Sequence, residues 1–556
     1  MASISLGKIA FTWKGAYDAG TTYSSQDVVS SNGNSYVCTL DNTVGITPVV
    51  GANWSLFAQG AAAVTSTAGE IIYNDGTGLV ALPVGTAGQV LQVDKVTLLP
   101  VWGPADVRSA TRVKALPASM TNNQQPNVYR FHGAIMNDDS IRMWGNNGNY
   151  NLGDGTTNAR SYPVRPGFPP TFPGAATLYL FASGSSSMSA CIDLDGKLWT
   201  WGYNGYGQQG TGSTVSQTIP YCPSDNALNS INGKVVTHVA VQCGVDGYGT
   251  THVLCSDGTV HSSGYNGYGQ IGNGGTVQQT YFQQALSITN VTQLSAGRER
   301  YGHVAAVANG QLYTWGYGAN GRLGSGATTD ATIPVARTGG SLAGKTIVKC
   351  WAGWGSTYAL DSEGTLHGTG LNTDGQLGIG NATDQLLFVA GTTDVAEAFI
   401  GCHDYPVAFV IKTDGTVWAA GAGNYGANGD VNSVDITAWQ QLDFGTKVAT
   451  KVIHGGTGTY NWTQVLFDDG TAHSWGYNGN GALMSGDTSN YLFTAKRTIP
   501  TGNLKIVDMT CWGQSSEQAV GYLMEDGQFL VGGYAGGSSL PEDDSENSYA
   551  PMPVPF

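Results

Sequence analysis

The sequence has few charged residues, no CxxC motif and no long apolar run. Only 11% of its 556 residues are charged, against a typical share of about 25%. The net charge of −15 argues against nucleic-acid binding, which needs a basic face. Without CxxC pairs a zinc cluster is not indicated. Without an apolar run of about 20 residues, no membrane insertion is expected.

Strings that are typical of catalysis are absent as well. The chain contains no G-x-S-x-G and no H-E-x-x-H motif. Its acidic residues concentrate in turn positions, where they are favoured for local hydrogen bonding. His261, His367 and His473 share one repeat position with Trp and Tyr, which predicts strand packing. We therefore expect no catalytic residue, no metal and no cofactor, and the chain is not predicted to be an enzyme.

What the chain has instead is an eightfold repeat and abundant glycine, 81 residues in all. In each copy a turn dipeptide is followed, five or six residues later, by a Trp-Gly-like pair and a glycine-rich loop. The eight copies are Asp138-Asp139…Trp144-Gly145, Asp195-Gly196…Trp201-Gly202, Asp257-Gly258…Ser263-Gly264, Asn309-Gly310…Trp315-Gly316, Glu363-Gly364…Thr369-Gly370, Asp414-Gly415…Ala420-Gly421, Asp469-Gly470…Trp475-Gly476 and Asp526-Gly527…Gly532-Gly533. A fixed period of this size predicts a propeller or a solenoid.

Each repeat has the content of a propeller blade. Asp-Gly or Asn-Gly between two apolar runs predicts a β-hairpin with a type I′ turn, and Asp139 in the first copy predicts a looser turn. Further strand-like runs give three to four antiparallel strands per repeat. No segment has a sustained apolar period of 3.6 residues, so almost no helix is expected. The predicted fold class is an all-β propeller over residues 110–556.

The hairpins, the Trp-Gly pairs and loops such as 203–212 and 265–274 together resemble the regulator-of-chromosome-condensation repeat family. The resemblance implies a β-propeller, usually of seven blades. With eight hairpins, either the ring has eight blades or one copy lies outside a seven-bladed ring. Propellers of this family act as nucleotide-exchange factors, light sensors and inhibitors of proteases or lactamases, so the fold alone does not give the function.

Residues 1–60 do not carry the repeat. Their aromatic order resembles the small chitin-binding-type carbohydrate modules, and the residues that carry it are Trp13, Tyr17, Tyr23, Tyr36 and Trp54. The resemblance implies exposed aromatics that stack on sugar rings, or an adaptor that docks to a larger particle. The alternative is that most of these aromatics are buried, because about fifty residues are marginal for a core.

Residues 61–109 form a predicted linker. The strings Ile71-Ile72-Tyr73-Asn74-Asp75-Gly76-Thr77-Gly78 and Leu82-Pro83-Val84-Gly85-Thr86-Ala87-Gly88-Gln89-Val90-Leu91 resemble a segment of phage tail-fibre proteins. The resemblance implies short intertwined strands in a trimeric stalk. The start of the chain lacks the features of a signal peptide, which is compatible with assembly in the host cytoplasm.

We therefore predict a structural phage tail-fibre protein in the virion. A homotrimer would dock to other tail or baseplate proteins and present the propeller to a glycan or protein of the host surface. The alternatives are a secreted bacterial sugar-binding or inhibitory propeller and a depolymerising tailspike. Aromatic residues on the least regular connections are the candidate receptor contacts, with folding over the blade edges as the alternative. They are Tyr162, Phe168, Tyr221, Tyr281 and Phe282.

Overall fold

The structure is a computed structural model, and the chain divides into two compact units, residues 1–107 and 108–556. The residues that it describes are 12–24, 27–31, 34–38, 43–44, 47–48, 54–59, 71–74, 79–82, 89–93, 100–104, 112–117, 131–181, 187–243, 247–297, 302–401, 405–455, 460–493, 497–499, 504–514, 517–533 and 548–554.

The first unit contains one small sheet and two hairpins. The sheet has the order β1 (Thr12–Ala16), β2 (Asp27–Ser31), β3 (Asn34–Cys38) and β4 (Trp54–Gln59). Strand β1 runs parallel to β2, and the other pairs are antiparallel. The hairpins are β5 (Ile71–Asn74) with β6 (Leu79–Leu82), and β7 (Gln89–Val93) with β8 (Pro100–Pro104). The linker strings therefore form strands that pair within one chain.

The second unit is an eight-bladed β-propeller of four-stranded antiparallel sheets, each formed by four consecutive strands. Blades 1 to 4 consist of β9 (Val113–Ala115), β10 (Phe131–Met136), β11 (Ile141–Gly145), β12 (Arg160–Val164); β13 (Ala175–Phe181), β14 (Met188–Asp193), β15 (Leu198–Gly202), β16 (Gln217–Tyr221); β17 (Val236–Cys243), β18 (Gly249–Cys255), β19 (Val260–Gly264), β20 (Gln279–Gln284); and β21 (Val291–Ala296), β22 (His303–Ala308), β23 (Gln311–Gly316), β24 (Ala331–Arg337).

Blades 5 to 8 continue the same order. They consist of β25 (Ile347–Ala352), β26 (Ser356–Asp361), β27 (Leu366–Gly370), β28 (Gln385–Thr392); β29 (Val395–Ile400), β30 (Val407–Lys412), β31 (Val417–Gly421), β32 (Ile436–Leu442); β33 (Ala449–Gly455), β34 (Trp462–Phe467), β35 (Ala472–Gly476), β36 (Arg497–Thr498); and β37 (Ile506–Gln514), β38 (Glu517–Met524), β39 (Phe529–Gly533), β40 (Ser548–Pro553). The helical segments in the described ranges are four 3₁₀ turns, Pro223–Asp225, Ala319–Gly321, Gly340–Leu342 and Asn424–Gly426.

The predicted hairpins are present, but most of their turns are not of type I′. In blade 3, Gly258 N–H donates to Cys255 O and Cys255 N–H donates to Thr259 O, and only Gly258 of the turn has positive φ. This is a three-residue loop whose last residue is left-handed. Asn309 and Gly310 both have positive φ, as a type I′ turn requires. Asp139 takes the glycine's conformation at φ 59°, so the first turn matches the others and is not looser.

One backbone hydrogen bond joins every blade to the next. The carbonyl of the turn residue with positive φ accepts from the N–H group of the first residue in the first strand of the next blade, at 2.8–3.1 Å. The carbonyl and amide partners are Asp139 and Ala175, Gly196 and Val236, Gly258 and Val291, Gly310 and Ile347, Gly364 and Val395, Gly415 and Ala449, Gly470 and Ile506, and Gly527 and Val113. The last of these pairs joins blade 8 to blade 1, so the ring closes with eight blades.

Hydrophobic packing closes the ring at the same point. Trp144 of blade 1 lies edge-on to Phe529 of blade 8, with ring centroids 5.9 Å apart. Phe131 and Val531 belong to the same buried cluster. Burying an aromatic or aliphatic side chain of this size contributes about 1.5–3 kcal/mol. The contacts between the first and last blades therefore contribute to the stability of the whole ring.

The Trp-Gly pairs hold neighbouring blades together. Trp201 donates from Nε1 to the carbonyl of Asn151 in the preceding blade at 2.8 Å, and Trp315 donates to Gln270 in the same way. The eight glycines of these pairs have φ between +93° and +122°. A Cβ on Gly202 would lie 2.9 Å from the Ser187 carbonyl oxygen. Glycine is required here by both conformation and space.

Candidate functional site

The ring has two faces that differ in chemistry. The Trp-Gly face carries the loops after the Trp-Gly pairs, such as 203–212 and 265–274, together with the connections between the first and second strands of each blade. The turn face carries the hairpin turns between the second and third strands and the connections from one blade to the next. This division follows from the up-and-down order of the four strands in every blade.

Buried asparagines shape the loops of the Trp-Gly face. Asn204 is fully buried, and its Oδ1 accepts from Gln209 N–H at 3.0 Å. Its Nδ2 donates to the carbonyls of Ser213 and Val215. Asn147, Asn266, Asn372 and Asn478 accept the equivalent backbone bond in their own loops. A buried amide that satisfies several backbone groups holds the loop in one conformation.

Five tyrosines form a continuous row on this face, which we call the tyrosine arc. Tyr206, Tyr248, Tyr265, Tyr268 and Tyr317 come from loops of blades 2, 3 and 4. Successive ring centroids lie 4.9 Å apart (206 to 248), 4.7 Å (248 to 265), 6.3 Å (265 to 268) and 4.7 Å (268 to 317). All five side chains are half-buried. The rings of the arc therefore support one another.

A second tyrosine cluster lies further around the same face. Tyr425 and Tyr477 have centroids 5.2 Å apart, and Tyr460 lies 4.8 Å from Tyr477. Burial and the neighbouring phenols of Tyr425 and Tyr460 raise the pKa of Tyr477. This cluster belongs to blades 6 and 7.

Acidic side chains lie between the two tyrosine clusters. Burial, together with the nearby Asp435 carboxylate, raises the pKa of Asp374 to about 6. Asp374 occupies the loop position that holds Tyr206 and Tyr268 in blades 2 and 3. The face thus combines aromatic surface with negative charge.

The turn face is dominated by exposed ion pairs. A lysine or arginine lies against an acidic residue in or beside most turns. The pairs are Arg112 and Asp526, Lys114 and Asp139, Lys197 and Asp225, Lys234 and Asp257, Lys345 and Glu363, and Lys447 and Asp469. Pairs of this kind in solvent contribute between zero and about 1 kcal/mol each. They satisfy the charges of this face within the chain.

The structure separates the five residues that were predicted as receptor contacts. Tyr162 is 56% exposed on the outer strand of blade 1, whereas Phe282 is fully buried in the core between blades 2 and 3. Phe282 therefore has no exposed surface for a contact, which corrects the prediction for that residue. Tyr221 is half-buried, and its hydroxyl accepts from Asn226. Tyr281 is half-buried as well.

Phe168 folds over the edge between blades 1 and 2. It stacks on Phe172 with centroids 3.8 Å apart and lies edge-on to Trp199 and Trp201. The two phenyl rings also line a cleft of about 310 Å³ beside Asp138. This packing matches the alternative that the loop aromatics cover blade edges.

In the first unit, Tyr23 and Tyr36 are buried with Val29 and Cys38, and Tyr17 packs against them with its ring 5.7 Å from that of Tyr23. Burial of the two tyrosines agrees with the core interpretation. The side chains of Trp13 and Trp54 lie outside the described residues.

The tyrosine arc was not predicted from the sequence. The signal was present: Tyr203, Tyr265, Tyr317 and Tyr477 occupy the first position after the Trp-Gly pair in four loops. Among the described residues, no group of three or more His, Cys, Asp or Glu side chains could hold a metal ion. The same residues include no helix with the length and apolar character of a membrane span.

Comparisons with known proteins agree with this architecture. The family model of the regulator of chromosome condensation (RCC1) repeat matches residues 195–247 and 309–360. The ultraviolet-B receptor UVR8 of Arabidopsis thaliana is 28% identical over 254 residues, which are 45% of this chain and 53% of the receptor. The human E3 ubiquitin-protein ligase HERC2 is 28% identical over 48% of this chain and 6% of the ligase. The structure of human WBSCR16 matches with a TM-score of 0.50 at 19% identity, over 67% of this chain and 96% of that chain.

The chain therefore carries RCC1 repeats and folds as an RCC1-like β-propeller. It spans about half the length of the receptor and a small part of the ligase.

The predicted function as a phage tail-fibre protein is wrong. The relatives that this chain matches include eukaryotic proteins, an ultraviolet-B receptor and mammalian ubiquitin ligases. Neither the tail-fibre resemblance of residues 61–109 nor the chitin-binding-type resemblance of residues 1–60 is shown by these matches. The homotrimer, the virion location and the domain boundaries at 60 and 109 stay untested predictions.

Proposed function

We propose that the propeller is a protein-interaction platform whose Trp-Gly face binds a Lys- or Arg-bearing segment of a partner protein. The observation that carries this proposal is the tyrosine arc, in which rings from three consecutive blades contact one another. A repeat needs glycine and asparagine to build its loop. It does not need tyrosine, because blades 1 and 5 have Asn149 and Asp374 at the position of Tyr206.

Tyrosine is well suited to such a surface. It supplies a large amphipathic contact area at little cost in conformational entropy, which is why it is enriched in binding surfaces. The rings of the arc already pack against one another, so binding would order few additional side chains. A preorganised aromatic surface fits a polypeptide partner.

The charge of the face favours a cationic partner. The Arg322 guanidinium lies 4.8 Å from the centroid of the Tyr317 ring, so a ring of the arc already accepts a cation. Such a contact contributes about 0.5–2 kcal/mol. Asp374 and Asp435 lie beyond the arc, and the chain carries a net charge of −15. The nature of the matching relatives, a receptor and ubiquitin ligases, supports a regulatory role.

The proposal is tested by fluorescence anisotropy with a labelled arginine-rich peptide and a glutamate-rich peptide of equal length. We expect the full chain to bind the arginine peptide alone, with an affinity that falls as salt rises. The double variant Tyr206→Leu and Tyr265→Leu keeps apolar volume but removes two rings, and should weaken binding about tenfold or more.

Tyr162→Leu provides a matched control, because it removes an exposed tyrosine from the outer rim of the same ring. Its affinity should equal that of the unmodified chain. Equal binding of both peptides, or equal losses in the arc and rim variants, would contradict the proposal.

A further inference from the structure

Blade 5 contains a Ser–His–Asp hydrogen-bond chain that the interaction platform does not use. Ser341 Oγ lies 2.8 Å from His367 Nδ1. His367 Nε2 lies 3.0 Å from Asp361 Oδ2. The side chains of His367 and Asp361 are 1% and 0% exposed, while Ser341 is half-buried in the 3₁₀ turn Gly340–Leu342. The hydroxyl of a half-buried serine is therefore connected to a buried imidazole and a buried carboxylate.

The partners fix the direction of the proton in this chain. Asp361 Oδ1 accepts from the N–H groups of Glu363 and Thr365 at 3.0 and 2.8 Å. Burial opposes the charge of this carboxyl, but these bonds and the one from His367 lower the pKa of Asp361, and Lys345 Nζ lies 3.6 Å away. An ionised Asp361 can only accept, so His367 Nε2 carries the proton. In the neutral imidazole Nδ1 is then the acceptor, and the Ser341 hydroxyl donates to it.

Blade 3 contains a related arrangement that lacks the carboxylate. Ser230 Oγ lies 2.7 Å from His261 Nδ1, but it also donates to the Phe282 carbonyl at 2.8 Å. His261 Nε2 meets the hydroxyl of Thr259 at 2.8 Å. In blade 3 these hydrogen bonds hold the connection between blades in place, and no carboxylate accepts from the imidazole of His261. The carboxylate and the directed serine proton are what blade 5 adds.

We propose that Ser341 is a nucleophile for acyl transfer, with His367 as its general base and Asp361 as the residue that positions and stabilises the imidazole. Ser341 Oγ would attack the carbonyl carbon of a small activated ester while its proton passes to His367 Nδ1. That proton then leaves with the alcohol as the carbon–oxygen bond of the ester breaks. Water, deprotonated by the same nitrogen, would release the acid and restore the serine. These are the roles of a Ser-His-Asp triad, with the two imidazole nitrogens exchanged relative to the usual arrangement, in which Nε2 faces the serine.

The proposal is independent of the interaction platform and is tested with a fluorophosphonate probe on the folded full chain. Attack of Oγ on phosphorus expels fluoride, and the adduct is located by peptide mass spectrometry. We expect an adduct on Ser341, no adduct on that peptide in Ser341→Ala, and labelling about 100-fold slower or more in Asp361→Asn. Ser230→Ala is the matched control and should label at the rate of the unmodified chain.

A second pair of variants separates reactivity from folding. Ser341→Cys and Ser230→Cys are nearly isosteric with the unmodified chain. In the native state, the thiol of Ser341→Cys should be alkylated by iodoacetamide at least tenfold faster than the thiol of Ser230→Cys. Thermal unfolding of every variant should match that of the unmodified chain, which shows that the variant is folded. Absence of the Ser341 adduct in the folded chain, or equal labelling of Ser230 and Ser341, would overturn the proposal and leave both chains as structural links.

Discussion

The two faces of the propeller come from the same repeat but are stabilised by different interactions. On the turn face, an acidic residue of the hairpin accepts local hydrogen bonds, as Asp257 does from Thr259. A lysine such as Lys234 then pairs with it from the incoming blade connection. The charges of this face are satisfied within the chain, and they are screened by salt.

On the Trp-Gly face, the polar groups that shape each loop are buried and the variable positions point outward. Asn204 and Asn266 hold their loops through amide bonds to the backbone. Tyr206 and Tyr268 lie two residues further along, and their backbone N–H groups donate to the side chains of Gln208 and Gln270. The comparison teaches that the loops of the Trp-Gly face are fixed by buried amides, whereas the turns are fixed by backbone hydrogen bonds and carry exposed ion pairs that add little to their stability.

The largest expected effect on stability comes from removing the contacts between blade 8 and blade 1, which close the ring. Deleting residues 510–556 takes away most of blade 8, including the Gly527 carbonyl that accepts from Val113 and the ring contact of Phe529 with Trp144. Because the blades depend on their neighbours for burial, we expect cooperative thermal unfolding to be lost. Differential scanning calorimetry measures this directly.

Deleting residues 1–109 is the control, because it leaves the contacts between blades 1 and 8 intact. The ring should then melt cooperatively. A cooperative transition after the first deletion would instead indicate an open array in which each repeat is stabilised by its neighbours alone.

Much of the ring could be predicted from the sequence because its signals are local and repeated. The turn dipeptides place the hairpins, and the Trp-Gly pairs mark the third strand of each blade. The number of blades could not be settled in this way, because closure depends on a bond between Val113 and Gly527, which are far apart in the chain. The turn type was also mispredicted, since Asp-Gly fits both a two-residue turn and the three-residue loop that is observed.

The function could not be predicted in this way. The tail-fibre interpretation rested on short strings in residues 1–109 and not on any side-chain chemistry. The tyrosine arc is formed by rings from different blades, so only the folded ring brings Tyr206, Tyr265 and Tyr317 into one row. The chain of Ser341, His367 and Asp361 likewise joins a blade connection to a hairpin, which spacing alone does not reveal.

A smaller effect compares one glycine from each face. Gly202 and Gly233 both have positive φ, at 97° and 73°. A Cβ on Gly202 meets the Ser187 carbonyl at 2.9 Å, whereas a Cβ on Gly233 meets nothing within 4 Å. Gly233→Ala should cost about 1–2 kcal/mol through its left-handed backbone, and Gly202→Ala should cost more, about 3 kcal/mol or above. Urea denaturation measures both, and equal costs would show that the Trp-Gly face can relax.

The smallest effect, and the sharpest contrast, is the opposite pH dependence of one carboxyl from each face. Burial and Asp435 raise the pKa of Asp374 to about 6, so its contribution to stability is present below pH 4 and is lost as the pH rises through 6. Hydrogen bonds from Lys447 and Thr471 lower the pKa of Asp469. Its contribution is therefore present above the unfolded pKa near 4 and is lost at lower pH.

Thermal unfolding of two matched variants tests this contrast. Asp374→Asn should raise the free energy of unfolding at pH 7.5 by about 1 kcal/mol, after allowance for solvent screening, and this effect should vanish as the pH falls below the unfolded pKa near 4. Asp469→Asn should lower it at pH 7.5 by less than about 1 kcal/mol, because its ion pair is exposed. High salt should reduce the second effect more than the first. Ionisation of Asp374 destabilises the folded state, whereas ionisation of Asp469 stabilises it. If both variants changed stability in the same direction at pH 7.5, this electrostatic difference between the two faces would be contradicted.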